Sequence, residues 1–214
     1  MRLAVFGASG RTGVPLVEQA VERGHEVVAF VRSAERPLAA LRDHDRVRVV
    51  EGDAYGGAGV REAVDGADAV VSVLGHSDGG PDDLLTVAGR RVLDAMDGAG
   101  VDRLVTLVGA GVREEGEPVS LGGRVMGALS NLFAGAVLDD AEAHVEAVRE
   151  SDTRWTVVRA PRLTEGEHTG RLRHGPDLRL GVRDTAARAN VAQFVLDCLE
   201  GDRYVREMPK VADA

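Results

Sequence analysis

The chain has 214 residues, a formal net charge of −9 and a single cysteine, Cys198. This length fits one α/β domain, the negative charge argues against non-specific binding to nucleic acid, and one cysteine excludes a disulfide framework or a zinc site built on cysteines. The most apolar stretch, residues 121–138, contains Arg124, Asn131 and several glycines, so no membrane span is expected. We expect no signal peptide before the first strand and predict a cytoplasmic protein.

Short apolar runs alternate along the chain with longer segments whose apolar residues recur at helical spacing. Strands are predicted in RLAVFG, EVVAFVR, RVRVVEGD, DAVVSVLG, DRLVTLVGAG and RWTVVRAP. Helices are predicted in VPLVEQAVERG, AERPLAALRDH, GVREAVDGA, PDDLLTVAGRRVLDAMDGAG, AEAHVEAVRES and TAARANVAQFVLDCLEG. This alternation predicts an α/β fold with a doubly wound, mostly parallel sheet and helices on both faces. Residues 1–214 are expected to form one domain, with residues 161–185 as a small C-terminal cap.

Three glycines, Gly7, Gly10 and Gly13, follow the first strand and open the first helix. This is the context of the dinucleotide-binding fingerprint, although the spacing is G-x-x-G-x-x-G. Gly7 permits the tight turn, Gly10 lets a pyrophosphate approach the backbone, and Gly13 lets the helix pack on the strand. The helix N-terminus then offers amides and a positive dipole end to phosphates.

The end of the second strand indicates which dinucleotide binds. Sites that prefer NAD place Asp or Glu there, but this chain has Arg32 followed by Ser33. A guanidinium suits a 2′-phosphate, and Arg11 in the glycine turn can add a second positive charge. The predicted cofactor is therefore NADP(H); the alternative is that Arg32 is only a solvated surface residue.

These residues resemble a known family. The segments GASGRTG, VRS, EGDA, AVVSVLG, GVDRLVTLVGAG and TRWTVVRAP occur in the order found in atypical short-chain dehydrogenase/reductases, which have an NAD(P)-binding Rossmann fold. Within that group the chain is similar to NADPH-dependent flavin reductases and biliverdin-IXβ reductases, and to redox-sensor proteins of the nitrogen-metabolite-repressor type. The resemblance runs from Met1 to about residue 200.

The resemblance implies cofactor contacts in the glycine turn and at the ends of the strands. The glycine turn corresponds to the pyrophosphate loop, EGDA to the adenine side, and the fourth and fifth strand ends to the nicotinamide side. The implied cofactor-binding residues are Gly7, Ser9, Gly10, Arg11, Thr12, Gly13, Arg32, Asp53, Ala54, Val73, Leu74, Gly75, Val108 and Gly109. Beyond the sixth strand, Pro161 and Arg162 correspond to the bend around the nicotinamide and the substrate.

The chain departs from the family in its proton relay. Many short-chain dehydrogenases use a Tyr-x-x-x-Lys pair, whereas this chain has only Tyr55 and Tyr204, and its one lysine is Lys210. The serine often found at the end of the fifth strand is also missing, and Thr106 comes too early, where it can serve the core instead. These absences argue against an alcohol dehydrogenase mechanism.

Flavins and quinones accept hydride without an acid from the protein, because the cofactor carries the chemistry and solvent can supply the proton. We therefore predict an NADPH-dependent oxidoreductase that reduces a flavin, a quinone or a similar flat acceptor, with no catalytic residue assigned. The alternative is a non-catalytic NADP(H)-binding redox sensor acting through a protein partner. An epimerase or dehydratase is disfavoured by the missing tyrosine.

A few polar residues are candidates for the substrate side. His76 can donate a proton, hold a substrate anion or do neither, and Arg162 can pair with a substrate anion or only brace its loop. His144 is interpreted as a surface or half-buried histidine. The apolar segment of residues 120–138 can form a lid for a flat ring system or a contact between subunits. The protein is expected to be a monomer or a homodimer. No residues have metal-ligand spacing.

Overall fold

The computed structural model describes residues 1–33, 44–77, 79–114, 117 and 121–214, and describes only the backbone of residues 121–134. The strands are β1 (Arg2–Phe6), β2 (Glu26–Val31), β3 (Val47–Glu51), β4 (Ala69–Ser72), β5 (Arg103–Gly109), β6 (Arg154–Ala160), β7 (Arg162–Thr164), β8 (Leu172–Gly175), β9 (Thr185–Ala187) and β10 (Lys210–Asp213). The helices are α1 (Gly13–Glu22), α2 (Val60–Val64), α3 (Leu84–Ala99), α4 (Leu121–Glu150) and α5 (Arg188–Glu200).

Within the described residues the main sheet has the order β3-β2-β1-β4-β5-β6-β10-β8. All neighbours pair in parallel except β10 and β8, which are antiparallel. Val5 of β1 lies opposite Ala29 of β2 on one side and Val71 of β4 on the other. Strands β2 and β3 are added on one side of β1, and β4 to β6 on the other side. Doubly wound sheets bind their ligands at the strand ends where this order reverses, here between β1 and β4.

The two faces of the sheet bury separate apolar cores. Alternate residues of β1 face opposite sides: Phe6 joins the core beneath α2, α3 and α4, and Val5 joins the core beneath α1 and α5. The inner strands β2, β1, β4, β5 and β6 therefore read as apolar runs, because a parallel strand inside the sheet is covered on both faces. The predicted doubly wound, mostly parallel Rossmann sheet is confirmed.

Several predicted boundaries are wrong. The long helix begins at Leu84 rather than near Pro81, and the last helix begins at Arg188, because residues 185–187 form β9. The segment predicted as a cap supplies β7, which pairs with β9, and β8, which joins the main sheet through β10. The helix predicted in AERPLAALRDH falls on residues 34–43, outside the described residues.

Candidate functional site

The glycine turn connects β1 to α1 through a tightly packed backbone. Gly7 has a φ angle of +81°, and its carbonyl oxygen accepts a hydrogen bond of 2.9 Å from the amide of Gly10. A Cβ atom at Gly7 would lie 2.8 Å from the carbonyl oxygen of Val73, and one at Gly13 would overlap the carbonyl groups of Gly7 and Ala8. Glycine is therefore required at position 7 by backbone conformation and at position 13 by the close approach of helix and strand.

A cleft of about 260 Å³ opens beside this turn, over the ends of β1, β2 and β4. The structure brings together here the predicted residues Gly7, Ser9, Gly10, Arg32, Asp53, Ala54, Val73, Leu74 and Gly75. The cleft is also lined by residues that the sequence did not single out: Phe30, Val31, Tyr55, Ser77 and Leu84. Arg32 is exposed, so its guanidinium is accessible to a ligand in the cleft.

The loop after β3 forms one wall of the cleft and is fixed by hydrogen bonds. The carboxylate of Asp53 accepts a hydrogen bond of 2.9 Å from the amide of Tyr55. The Tyr55 hydroxyl donates to Asp83 at 3.1 Å, and Arg91 donates to the Tyr55 carbonyl at 2.7 Å. The hydrogen bond to Asp83 raises the pKa of Tyr55. This phenol is therefore protonated at neutral pH and held against the start of α3.

Other predicted residues lie outside the lining of this cleft. Arg11 is exposed, with its guanidinium 3.8 Å from the carboxylate of Glu165, and Thr12 and Gly13 are buried at the start of α1. The predicted residues at the ends of β5 and β6 also lie outside the lining. They are Val108, Gly109, Pro161 and Arg162. Val108 is buried in the core, whereas Gly109 and Arg162 are exposed.

His76 follows β4 and lies close to a carboxylate that the sequence analysis did not identify. Its Nε2 atom is 2.9 Å from Oδ2 of Asp140 and 3.2 Å from the carbonyl oxygen of Asp82. Asp140 lies in α4, and its two carboxylate oxygens accept hydrogen bonds from the amides of Leu85 and Thr86, at 2.7 and 2.9 Å. The Asp140 side chain is 2% exposed and that of His76 is 18% exposed. A carboxylate from α4 thus caps α3 and holds His76.

His144 is buried, not surface-exposed or half-buried as predicted. It is 4% exposed, and its Nε2 atom lies 3.1 Å from the hydroxyl of Thr106, which is 2% exposed. Its Nδ1 atom has no hydrogen-bond partner among the described residues. Burial lowers the pKa of His144 to about 4, although the nearby Asp140 charge acts to raise it. Thr106 therefore serves the core, and His144 is a neutral core residue at neutral pH.

The only lysine is part of a buried cluster of charges. Glu117 accepts a hydrogen bond of 2.6 Å from Arg159, whose side chain is fully buried, and forms an ion pair with Lys210. Burial of Glu117 acts to raise its pKa, but hydrogen bonds from Lys210 and Arg159 outweigh that effect and lower it to about 2. Lys210 also donates to the carbonyl of Leu178 at 3.1 Å. This cluster ties the segment after β5 to β6 and β10.

Within the described residues, no group of His, Cys, Asp and Glu has the arrangement of a metal site. Among the helices so described, none has the length and apolarity needed to cross a membrane.

Comparison with known proteins identifies the family. A family model described as NAD(P)H-binding matches residues 7–202. The chain belongs to this NAD(P)H-binding family. The match covers both the glycine turn and the strands whose ends form the cleft. It confirms the nicotinamide dinucleotide as the cofactor class predicted from the sequence.

Individual proteins are similar to this chain in sequence or in fold. The uncharacterised protein YwnB of Bacillus subtilis is 33% identical over 111 residues, which cover 52% of this chain and 48% of YwnB. The anaerobillin reductase ChuY from Escherichia coli O157:H7 has a TM-score of 0.80 and 22% identity, covering 100% of this chain and 97% of ChuY. A short-chain dehydrogenase/reductase from Veillonella parvula, solved in complex with NADP, has a TM-score of 0.80 and 19% identity, covering 99% of this chain and 94% of that one. The matched region thus spans about half the length of YwnB.

Proposed function

We propose that the protein is an NADPH-dependent reductase that passes hydride to a flavin, a quinone or a similar flat acceptor. The observation that carries the proposal is that Arg32 and the glycine turn line one cleft. Arg32 stands after β2, where sites that prefer NAD carry an acidic residue. Its paired N–H donors and fixed charge match a 2′-phosphate, and an acidic residue there would repel it.

The proposed dinucleotide would lie across the cleft and over the strand ends beyond it. The glycine turn and the N-terminus of α1 would hold the pyrophosphate, because Gly7 and Gly10 line the cleft and the first amides of a helix attract phosphate. Arg32 would hold the 2′-phosphate, with Arg11 as a second nearby cation. Asp53 and Ala54 would lie beside the adenine. The ribose and nicotinamide would pass the strand ends at Val73, Leu74, Gly75, Val108 and Gly109, towards Pro161 and Arg162 on the substrate side.

The chemistry follows from what the cofactor supplies and from what the chain lacks. Bound in the cleft, NADPH supplies hydride from its nicotinamide ring. The chain has no Tyr-x-x-x-Lys pair, and Lys210 is engaged by Glu117. An acceptor that is readily reduced by hydride therefore suits this site better than an unactivated ketone, whose developing alkoxide needs a donor. The fold shared with an anaerobillin reductase accommodates such an activity.

The test is oxidation of NADPH by the purified protein, followed at the nicotinamide absorbance band. Flavin mononucleotide and menadione would be supplied as acceptors, and each assay repeated with NADH. Saturable turnover with a preference for NADPH is the expected result. Tight binding of NADPH without turnover across these acceptors would contradict the reductase and favour an NADP(H)-binding redox sensor that acts through a protein partner.

A further inference from the structure

Reduction of the acceptor by hydride also requires a proton, and the structure offers a source for it. Resting on the proposed function, we propose that His76 is the catalytic acid of this reductase and that Asp140 is its positioning residue. The pair extends the acceptor class to conjugated carbonyl compounds, whose oxygen must be protonated as hydride arrives at carbon. It would take the place of the missing tyrosine relay.

Asp140 is held rigidly enough to orient a second group. Its carboxylate is nearly inaccessible to solvent, and the amides of Leu85 and Thr86 bond its two oxygens. The hydroxyl of Thr86 also donates to the main-chain carbonyl of Asp140, at 3.0 Å. These contacts fix the carboxylate relative to both α3 and α4. The carboxylate already caps α3 by accepting these two amide hydrogen bonds. Capping therefore does not require His76, which is an additional partner of Asp140.

The His76 ring is oriented through one nitrogen only. Both of its contacts within the described residues, with Asp140 and with the Asp82 carbonyl, use Nε2. A carboxylate and a carbonyl beside Nε2 fix the tautomer and the orientation of the ring, and leave Nδ1 to exchange a proton. The ring is partly exposed, which gives solvent access for its reprotonation.

His76 also lies beside the cleft. Its neighbours Gly75 and Ser77 both line the cleft, so His76 stands at its rim after β4. On the cofactor path proposed above, the ribose and nicotinamide would pass Gly75, which directly precedes His76. That path would bring the acceptor within reach of the His76 ring.

Four other titratable side chains that carry a proton are committed elsewhere. The Tyr55 hydroxyl donates to Asp83, and Tyr204 shares a hydrogen bond with a histidine of β8. His144 is buried beneath α3, and Lys210 is bound by a carboxylate and a carbonyl. Of these groups and His76, only His76 lies beside the cleft with a ring nitrogen that no described residue engages.

The reaction step balances with these groups. Hydride from NADPH forms a C–H bond at the conjugated carbon, and the carbonyl oxygen at the other end of the system gains an electron pair. Protonated His76 gives its Nδ1 proton to that oxygen, so the acceptor gains two hydrogens and NADP⁺ is released. Neutral His76 then recovers a proton from solvent. Asp140 keeps the ring in place throughout.

The experiment compares the intact protein with His76→Ala and His76→Gln, using menadione and the conjugated ketone methyl vinyl ketone as acceptors. We expect His76→Ala to lower kcat with the ketone about 100-fold, with a smaller loss for menadione, whose proton can come from solvent. Added imidazole should restore saturable turnover to His76→Ala. NADPH affinity, measured by fluorescence titration without an acceptor, should not change in either variant.

Asp140 is tested through a double-mutant cycle. Asp140→Asn should lower kcat, with a smaller change in the KM for NADPH. In the His76→Ala background it should have little further effect, because a positioning residue acts only through its partner. Asp139→Asn, one residue away on the exposed side of α4, is the matched control and should behave as the unaltered protein. Additive losses in the cycle would assign Asp140 a purely structural role and overturn the pair.

The outcomes separate this inference from the proposed function. Absence of turnover by the unaltered protein with every acceptor contradicts the reductase itself. Turnover of menadione but not of the ketone overturns the extended acceptor class. Equal ketone turnover by the unaltered protein and His76→Ala, or a loss that imidazole does not rescue, overturns the role of His76 and leaves the reductase standing.

Discussion

Gly89 of α3 lies directly against the imidazole ring of His144 in α4. A Cβ atom at position 89 would overlap Nδ1 and Cε1 of His144. The two helices meet this closely because residue 89 has no side chain, and the space is filled by a histidine whose other ring nitrogen contacts Thr106. At this position α4 therefore packs against α3 and supplies a core residue.

Gly89→Ala should destabilise the protein by about 2 kcal/mol, because the added methyl group forces the buried ring of His144 to move. The control is Gly98→Ala in the same helix, where a Cβ would meet no atom within 4 Å. That change should stabilise the protein by about 0.5 kcal/mol, since alanine favours a helix over glycine. Urea unfolding measures both. If Gly98→Ala were destabilised as much as Gly89→Ala, the loss at position 89 could not be attributed to the contact with His144.

The buried His144 predicts a pH dependence of stability. Burial lowers the pKa of His144 from 6.5 to about 4, so the unfolded chain takes up a proton at a higher pH than the folded protein. Above pH 6.5 His144 is neutral in both states and the free energy of unfolding does not depend on its protonation. Between pH 6.5 and pH 4 the free energy of unfolding falls as the pH drops. The loss reaches about 3 kcal/mol at the lower end of this window.

This slope is measured by urea unfolding at a series of pH values. His144→Gln should remove it, whatever the variant's stability at neutral pH. His168→Gln, which changes an exposed histidine bonded to Gln193, should retain it. Parallel curves for the unaltered protein and His144→Gln would contradict the assignment of the slope to His144.

Glu117→Gln should lower the free energy of unfolding by about 3 kcal/mol, because it leaves the fully buried Arg159 without its closest carboxylate. Glu165→Gln is the control: that carboxylate is 63% exposed while contacting Arg188, and its loss should cost less than about 1 kcal/mol. The pKa of Glu117 is lowered to about 2. Its contribution is therefore present above its ordinary value of 4.5 and lost as the pH falls towards 2. Equal stability of the two variants would show that the buried cluster is dispensable.

Arg32→Glu should weaken NADPH binding about 100-fold, because it removes charge-assisted hydrogen bonds and places a like charge beside the 2′-phosphate. NADH lacks that phosphate, so its affinity should change little. Fluorescence titration with both cofactors at one ionic strength measures the difference. Arg61→Glu, the same charge change at an exposed site in α2, controls for the net charge. Equal losses for NADPH and NADH would refute the role of Arg32.

The first six strands were predictable because their signal is local. Five of them are buried on both faces and read as apolar runs, whereas β3, at the sheet edge, is more exposed and was recognised by its valines. The remaining strands have three or four residues and pair with distant partners, as Leu172–Gly175 does with Lys210–Asp213. The start of α3 was misplaced for a similar reason. Asp83 bonds Tyr55 instead of capping the helix, and the cap comes from Asp140 in another helix.

The candidate site was predictable where a residue's role depends on backbone conformation or on one strand end. Gly7 and Gly13 are crowded as their place in the turn predicts, and Arg32 lies in the cleft. Phe30 and Leu84 were missed, since apolar residues at such positions look the same in sequence whether they line a cleft or fill a core. Asp140 was missed because its importance depends on the packing of α4 against α3.

The place of β10 between β6 and β8 affects the order in which the chain can fold. Residues 172–175 leave the ribosome before residues 210–213, yet within the described chain they join the main sheet only through them. The β1 to β6 framework can assemble as synthesis proceeds, whereas this edge must wait for a distant segment. Lys210, which begins β10, also completes the cluster with Glu117. The same short strand thus closes this edge of the sheet and anchors the segment after β5.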